Sequence, residues 1–162
     1  MIMAASGHRM SAEESSAVVE GPSAQQRRVQ TVADDFKVRL GLTQAVDVVV
    51  VPANTLLLSV EPVENSSLRR FDLRVEEDFI EGLTDVELSA AVAHELGHVW
   101  IFTHHPFLQT EQLANDIAMR LVSRDALTSL YDKVWKKQGT KGDLAKYLSP
   151  QITAGLAPPK AR

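Results

Sequence analysis

The sequence predicts an α+β fold: a small three-stranded sheet packed on two helices, one bearing a histidine pair and the other a glutamate. Three observations predict it: β-branched runs in the first half of the chain, an apolar helical run after residue 84, and a helical pattern that begins at Thr110. With 162 residues, 44% of them hydrophobic, the chain can form one domain with a core. We expect that domain at residues 23–150, between a disordered tail at 1–22 and a flexible tail at 151–162.

Composition and charge narrow the classes of partner. The net charge is −4 without a long basic cluster, so nothing favours nucleic acid. The chain contains no cysteine, so a metal site has to use histidines and carboxylates. No apolar run approaches the roughly 20 residues of a membrane span, and the first ten residues are too polar for a signal peptide. We therefore expect a soluble protein, with the cytoplasm favoured; the oligomeric state stays open.

The first predicted element is a helix that begins at the capping residue Ser23 and stops at Gly41. Apolar residues recur between these ends at spacings of three and four, so one face of the helix should pack on the core. The members of this stripe are Val29, Val32, Phe36 and Leu40.

Three strands are predicted next. Residues 46–51 are β-branched and end at Pro52, and residues 56–60 form a second run that ends before Pro62. In residues 69–75 apolar and charged side chains alternate, which is typical of a strand with one solvated face. We expect a small antiparallel or mixed sheet whose third strand binds a substrate backbone along its free edge.

A second helix should open at Thr84, because Thr84 and Glu87 form the T-x-x-E pattern of a capping box. It follows a short helical turn at residues 78–83 and continues to about residue 103. Since it is apolar on most sides, it should be the buried central helix of the domain.

This helix contains the H-E-x-x-H sequence formed by His94, Glu95 and His98. Two histidines four residues apart lie on one helix face, one turn apart. Their imidazoles can bind one Zn²⁺ ion, and Glu95 then stands beside the first ligand as a general base for a metal-bound water. Buried histidines also need polar partners, because unpaired buried polar groups are costly.

A catalytic zinc site needs a further protein ligand, and Glu111 is the candidate. It begins a helix that Thr110 caps and that we expect to continue to about Leu130. The loop after the central helix is long enough to bring Glu111 back level with the histidines. Asn115, one turn further on, can accept a hydrogen bond from the far nitrogen of His94, and Asp116 is a less favourable substitute.

His104 offers an alternative third ligand, because its spacing from His94 and His98 matches H-E-x-x-H-x-x-G-x-x-H. Ile101 replaces the glycine of that pattern, so an unbroken helix would turn His104 away from the metal. If the metal-bound water attacks a peptide carbonyl, a hydrogen-bond donor is also needed for the oxyanion that develops on the carbonyl oxygen. The candidates, among which the sequence does not choose, are His104, His105, Arg120 and Tyr131.

Two segments carry a family resemblance: residues 82–88 leading into 93–99, and residues 111–121 with the form E-x-x-A-N. Together they resemble the gluzincin zinc peptidases. The resemblance is strongest to the family of the bacterial heat-shock membrane protease and the CAAX prenyl proteases, including their small soluble relatives, the minigluzincins. It covers residues 46–130. It implies a zincin-like fold with one Zn²⁺ ion, zinc ligands at His94, His98 and Glu111, and Glu95 as the general base.

The sequence departs from this family in two places. Asn115 stands where the family usually has aspartate, so the partner of His94 would be neutral, which would weaken zinc binding or slow catalysis. The segment between His98 and Glu111 is much shorter than in the membrane members, which favours a soluble minimal version. The E-x-x-A-N form also resembles the phage-repressor-cleaving peptidases of the ImmA/IrrE type.

The sequence thus predicts a zinc-dependent metalloendopeptidase that hydrolyses peptide or protein substrates through a Glu95-activated, zinc-bound water. One alternative is a catalytically weak or inactive gluzincin-fold scaffold or binding module, and another is a regulatory peptidase that cleaves a repressor. A third is a structural helical protein with incidental histidines. The complete set of His94, Glu95, His98 and Glu111 favours an active enzyme.

Overall fold

The computed structural model describes residues 21–64 and 69–150, so the predicted tails, apart from residues 21 and 22, lie outside the described residues. A 3₁₀ turn at Pro106–Leu108 connects the third and fourth helices. In chain order the elements are α1 (Ala24–Leu40), β1 (Ala45–Val51), β2 (Leu58–Pro62), β3 (Arg70–Glu76), α2 (Glu77–Glu81), α3 (Asp85–His104), α4 (Glu111–Ala118), α5 (Arg124–Gln138) and α6 (Leu144–Tyr147).

The predicted α+β class with a three-stranded sheet is confirmed. The sheet is mixed, with the order β1-β3-β2: β3 runs parallel to β1 and antiparallel to β2. Leu73 at its centre pairs with Val48 on one side and Val60 on the other. The alternation in β3 has the expected effect, because Phe71, Leu73 and Val75 are buried.

The prediction that the third strand has a free edge was wrong. β3 is hydrogen-bonded on both sides, and β2 instead lies at the edge of the sheet. Pro62 can end β2 because an edge strand tolerates a missing backbone donor. Strand order depends on the crossover between β1 and β3, which the alternation of side chains does not encode. β3 is therefore not available to pair with an added strand.

Helix α1 covers the opposite edge of the sheet with two glutamine side chains. The backbone N–H of Val48 donates to Gln30 Oε1 at 2.9 Å, and Gln30 Nε2 donates to the carbonyl of Val46 at 3.0 Å. Gln26 Nε2 donates to the carbonyl of Val48 at 2.9 Å. These bonds satisfy edge groups of β1 that would otherwise be open to another chain. The Ser23 and Gly41 caps of α1 are as predicted.

Helix α3 is the centre of the domain and packs against α1, α4, α5 and β2. The predicted capping box is present, since the Thr84 side chain accepts from the Glu87 N–H and the Glu87 carboxylate accepts from the Thr84 N–H. Glu87 is itself buried and also bonds Ser129 and Lys133 from α5. Although α3 has 20 residues, no helix among the described residues is long and apolar enough to cross a membrane.

The single helix expected from Thr110 to about Leu130 is instead two helices. α4 ends at Ala118, and Ser123 caps α5 by accepting a hydrogen bond from the Ala126 N–H at 3.1 Å. The turn between them was hidden because its apolar residues, Leu121 and Val122, still pack on the core and continue the helical spacing. The break lets α5 return along α3 and form a wall of the cleft described below.

Candidate metal and active site

The two histidines of the H-E-x-x-H sequence project from one face of α3. Their rings meet edge to face, with centroids 4.8 Å apart and an interplanar angle of 87°. Their Nε2 atoms are 3.3 Å apart. The side chains are largely shielded from solvent, with 13% exposure for His94 and 20% for His98. Because the two residues are one helical turn apart, their Nε2 atoms lie next to each other and could bind the same ion.

Glu111 reaches the same point from the first turn of α4. Its Oε2 lies 3.2 Å from His94 Nε2, and its Oε1 lies 3.3 Å from His98 Nε2. Thr110 starts α4 there, because its hydroxyl accepts a hydrogen bond from the Leu113 N–H at 3.1 Å. The structure thus brings together the three residues that the sequence singled out as ligands, with candidate ligand atoms all within 4.8 Å of one another.

Asn115 fixes the orientation of the His94 ring from a fully buried position on α4. Its Nδ2 donates to the carbonyl of Tyr147 at 2.8 Å and to the hydroxyl oxygen of Tyr131 at 2.7 Å. Since a carbonyl can only accept, this amide orientation leaves Oδ1 facing His94 Nδ1 at 2.8 Å. His94 Nδ1 must therefore carry the hydrogen, and the expected contact between Asn115 and His94 is present.

Gln109 makes the corresponding contact with His98, and the sequence did not reveal it. Its Nε2 donates to the backbone carbonyl of His98 at 3.1 Å, so its Oε1 faces His98 Nδ1 at 3.0 Å. His98 Nδ1 is again the donor. A glutamine two residues before Glu111 is too common a feature to have indicated this contact without the path of the loop.

These two hydrogen bonds decide what the cluster can hold. With Nδ1 donating, each neutral imidazole has its lone pair on Nε2, and the two lone pairs face each other and a carboxylate. Three acceptors this close repel one another unless a cation, either a proton or a metal ion, lies between them. Nitrogen ligands about 2.0–2.1 Å from a tetrahedral zinc ion are about 3.3 Å apart, which is the observed Nε2–Nε2 distance. The residues therefore fit a zinc ion.

The electrostatics of the cluster also favour a bound cation. When the Nε2 atoms of His94 and His98 instead carry protons, their hydrogen bonds to Glu111 lower the pKa of that carboxyl group, so its carboxylate stays ionised. Burial opposes the charged form of both histidines, but their hydrogen bonds to Glu111 and the negative charges of Glu95 and Glu111 together outweigh it and raise the pKa of each ring. The carboxylate thus draws positive charge to the point where the two Nε2 atoms meet.

Glu95 is buried beside this cluster, with 7% of its surface exposed. Burial raises the pKa of its carboxyl group, and the neighbouring histidines His94 and His98 partly oppose that rise. A carboxylate with a raised pKa is a stronger proton acceptor than an exposed one, as a general base requires.

The cluster lies in the wall of a cleft with a volume of about 640 Å³. His94, Glu95, His98 and Glu111 provide its ionisable carboxylate and imidazole groups, and most of the remaining lining is apolar or aromatic. The apolar walls come from β2 and the segment before it on one side and from α5 on the other, with Leu56, Leu58, Val60, Leu130, Val134 and Trp135. β2 and α5 thus form two sides of the cleft that contains Glu95.

The four candidate oxyanion donors separate into two groups. His104 stacks on Trp100, with ring centroids 4.2 Å apart, and the Arg120 guanidinium lies 5.1 Å from the same ring. His105 also contacts Trp100. Tyr131, in contrast, lines the cleft. The position of His104 agrees with the expectation that the helix continues unbroken through Ile101 and that His104 therefore points away from His94, His98 and Glu111.

One solved structure with a similar fold is the crystal structure of the metallopeptidase zymogen of Pyrococcus abyssi abylysin. The TM-score is 0.50 and the sequence identity 15%, and the match covers 71% of this chain and 99% of that one. This chain has a metallopeptidase-like fold. No protein-family model and no curated protein matches it, so at this identity the likeness concerns the fold alone.

Proposed function

We propose that this chain is a zinc-dependent metallopeptidase that hydrolyses peptide bonds in peptide or protein substrates. The observation that carries the proposal is the convergence of two Nε2 atoms and the Glu111 carboxylate beside the buried Glu95, in the wall of a cleft. His94, His98 and Glu111 would hold one Zn²⁺ ion. When bound, this ion supplies a Lewis acid that polarises the scissile carbonyl and lowers the pKa of a water molecule towards ~7.

Glu95 is the general base and then the general acid of the proposed reaction. Its carboxylate takes a proton from the attacking water as the carbonyl carbon–oxygen bond forms. It returns that proton to the amine nitrogen as the carbon–nitrogen bond breaks, so the products are a carboxylate and a free amine. The burial that raises the Glu95 pKa brings it closer to the pKa that two-way proton transfer needs.

Tyr131 is the proposed hydrogen-bond donor to the developing oxyanion. Its hydroxyl oxygen already accepts a hydrogen bond from Asn115 at 2.7 Å, which fixes its position beside His94. The O–H hydrogen remains available to a substrate oxygen in the cleft. Burial raises the Tyr131 pKa to about 12, so the hydroxyl keeps this hydrogen at neutral pH.

The family assignment and the domain bounds belong to the same proposal. The H-E-x-x-H and E-x-x-A-N motifs, together with the metallopeptidase-like fold, support a minigluzincin-like gluzincin formed by residues 23–150. The competing function is an inactive scaffold of the same fold. It differs in one respect that can be measured, because a scaffold retains the metal and does not cleave peptides.

The test combines metal content with peptide cleavage. Purified wild type should contain one equivalent of zinc by inductively coupled plasma mass spectrometry and should cleave casein or a peptide library. Glu95→Gln should retain the zinc and lose the cleavage by a factor of at least about 10³, because the base is removed while the ligands stay. Zinc at one equivalent without cleavage by wild type would favour the scaffold, and absence of zinc would contradict both functions.

A further inference from the structure

Gln109 lies in the short segment that joins the two ligand-bearing helices, and its side chain contacts His98 twice. Its Oε1 faces the His98 ring at Nδ1, and its Nε2 donates to the His98 backbone carbonyl. We propose that Gln109 is a positioning residue that orients His98 for metal binding. The inference rests on the proposed function, since the metal is the ion assigned to His98 there.

The acceptor oxygen of Gln109 controls the chemistry of the ring. An imidazole that donates from Nδ1 has its lone pair on Nε2, and the ring is held at the angle that this hydrogen bond dictates. Without that partner, His98 can rotate or place its hydrogen on Nε2, opposite the Glu111 carboxylate 3.3 Å away. Either change removes a ligand lone pair from the cluster.

The donor nitrogen of Gln109 has a separate effect on the backbone. The residue precedes the Thr110 cap of α4, so its bond to the His98 carbonyl ties the beginning of α4 to α3. Glu111 is the first residue of α4 and therefore follows the position of this tie. The Oε1 atom of Gln109 thus affects the orientation of the His98 ring, whereas its Nε2 atom affects the position of α4. Substitutions can separate these two effects.

Asn115 performs the corresponding task for His94, but the two sites differ in burial. Asn115 is fully buried, whereas Gln109 is exposed. Water can partly replace the exposed hydrogen bond. Loss of an outer hydrogen-bond partner weakens metal binding by about 10–100-fold, so we expect the lower end of this range at Gln109.

The test compares Gln109→Ala, which removes both atoms, with Gln109→Glu, which keeps an acceptor and removes the donor. Gln112→Ala is the matched control, because Gln112 is an exposed glutamine of the same region that bonds Ser149 instead of His98. The readouts are the zinc dissociation constant, from competition with a chromogenic chelator, and the melting temperature of the metal-free protein.

We expect zinc affinity to fall about tenfold in Gln109→Ala and to stay within about threefold of wild type in Gln109→Glu, since carboxylate–histidine pairs also support metal ligands. Gln112→Ala should bind zinc as wild type does. Equal affinity of Gln109→Ala and wild type would overturn the inference alone. If zinc affinity fell equally in Gln109→Ala and Gln109→Glu, the proposal that Gln109 orients the His98 ring would be wrong, and its bond to the His98 backbone carbonyl would be the contact that matters. Wild type that binds no zinc would overturn the proposed function itself.

Discussion

Gly97, inside the H-E-x-x-H sequence, allows α3 and α4 to touch through their backbones. A Cβ atom at this position would lie 2.4 Å from the Ala114 carbonyl oxygen and 3.0 Å from its Cα. Ordinary contact begins at 3.4 Å, so Gly97→Ala requires the helices to separate by about 1 Å (3.4 − 2.4). The neighbour that would have to move is backbone, which cannot rotate away as a side chain can.

Two opposing effects determine the stability of Gly97→Ala. Alanine gains about 1 kcal/mol over glycine inside a helix, whereas overpacking costs about 1–3 kcal/mol. We expect a net loss of about 1 kcal/mol in the free energy of unfolding. The metal site should suffer more, because α4 carries Glu111 and Asn115, and a shift of about 1 Å exceeds the roughly 0.5 Å tolerance of a preorganised site. Zinc affinity should therefore fall at least about tenfold.

Gly82→Ala provides the matched control. Gly82 has a φ of −77°, and an added Cβ would lie 3.4 Å from the Phe79 carbonyl oxygen, at ordinary contact distance. Urea unfolding of both metal-free variants gives the stability difference, and chelator competition gives the zinc affinities. If Gly97→Ala were as stable as Gly82→Ala and bound zinc as tightly as wild type, close backbone contact between α3 and α4 would not be what places Glu111.

Three further predictions concern Tyr131 in the cleft, Gln30 at the sheet edge and the buried Glu87. Tyr131→Phe should lower kcat about 10²-fold and change zinc affinity much less, because it removes the proposed oxyanion donor and no ligand, and Asn115 keeps its hydrogen bond to the Tyr147 carbonyl; an unchanged kcat would assign the donor elsewhere. Gln30→Ala should cost about 1–2 kcal/mol in urea unfolding, since it leaves the Val48 N–H and Val46 carbonyl at the sheet edge unpaired, and a matched Gln112→Ala should cost less. Glu87→Gln should cost about 2 kcal/mol at pH 7, and a loss below about 0.5 kcal/mol would contradict the network described next.

The Glu87 prediction also has a defined pH dependence. Burial alone would raise the pKa of Glu87, but hydrogen bonds from Lys133, Thr84 and Ser129 outweigh burial and lower the pKa from 4.5 to about 2. This difference is worth at most about 3 kcal/mol, and the 38% exposure of the Lys133 side chain reduces it to about 2 kcal/mol. The stabilisation is present above pH 4.5 and is lost as the pH falls through about 2, so wild type and Glu87→Gln should converge in acid.

Local chemistry explains why much of the fold and site could be predicted from sequence. The caps at Ser23, Gly41 and Thr84 are short-range signals, and they fixed the ends of α1 and the start of α3. The predicted convergence of Glu111 with the histidines needed only helix geometry and a short return loop.

The features that escaped prediction depend on distant parts of the chain. The order of the strands follows from the crossover that pairs β1 with β3, so side-chain alternation placed β3 wrongly at the edge. The role of Gln109 depends on how the 3₁₀ turn returns the chain to α3. The break before α5 had a local signal in Ser123, but the apolar spacing across Leu121 and Val122 concealed it.

The assignment of His94, His98 and Glu111 as zinc ligands can be tested by X-ray absorption at the zinc edge of the zinc-loaded protein, with Glu111→Gln measured beside wild type. Wild type should show one zinc per chain, with two imidazole nitrogens at about 2.0–2.1 Å and carboxylate oxygen in the same shell. Glu111→Gln should bind zinc at least about tenfold more weakly and lose the carboxylate contribution. A zinc shell without imidazole nitrogens, or identical spectra and affinities for the two proteins, would contradict the assignment of His94, His98 and Glu111 as the metal ligands.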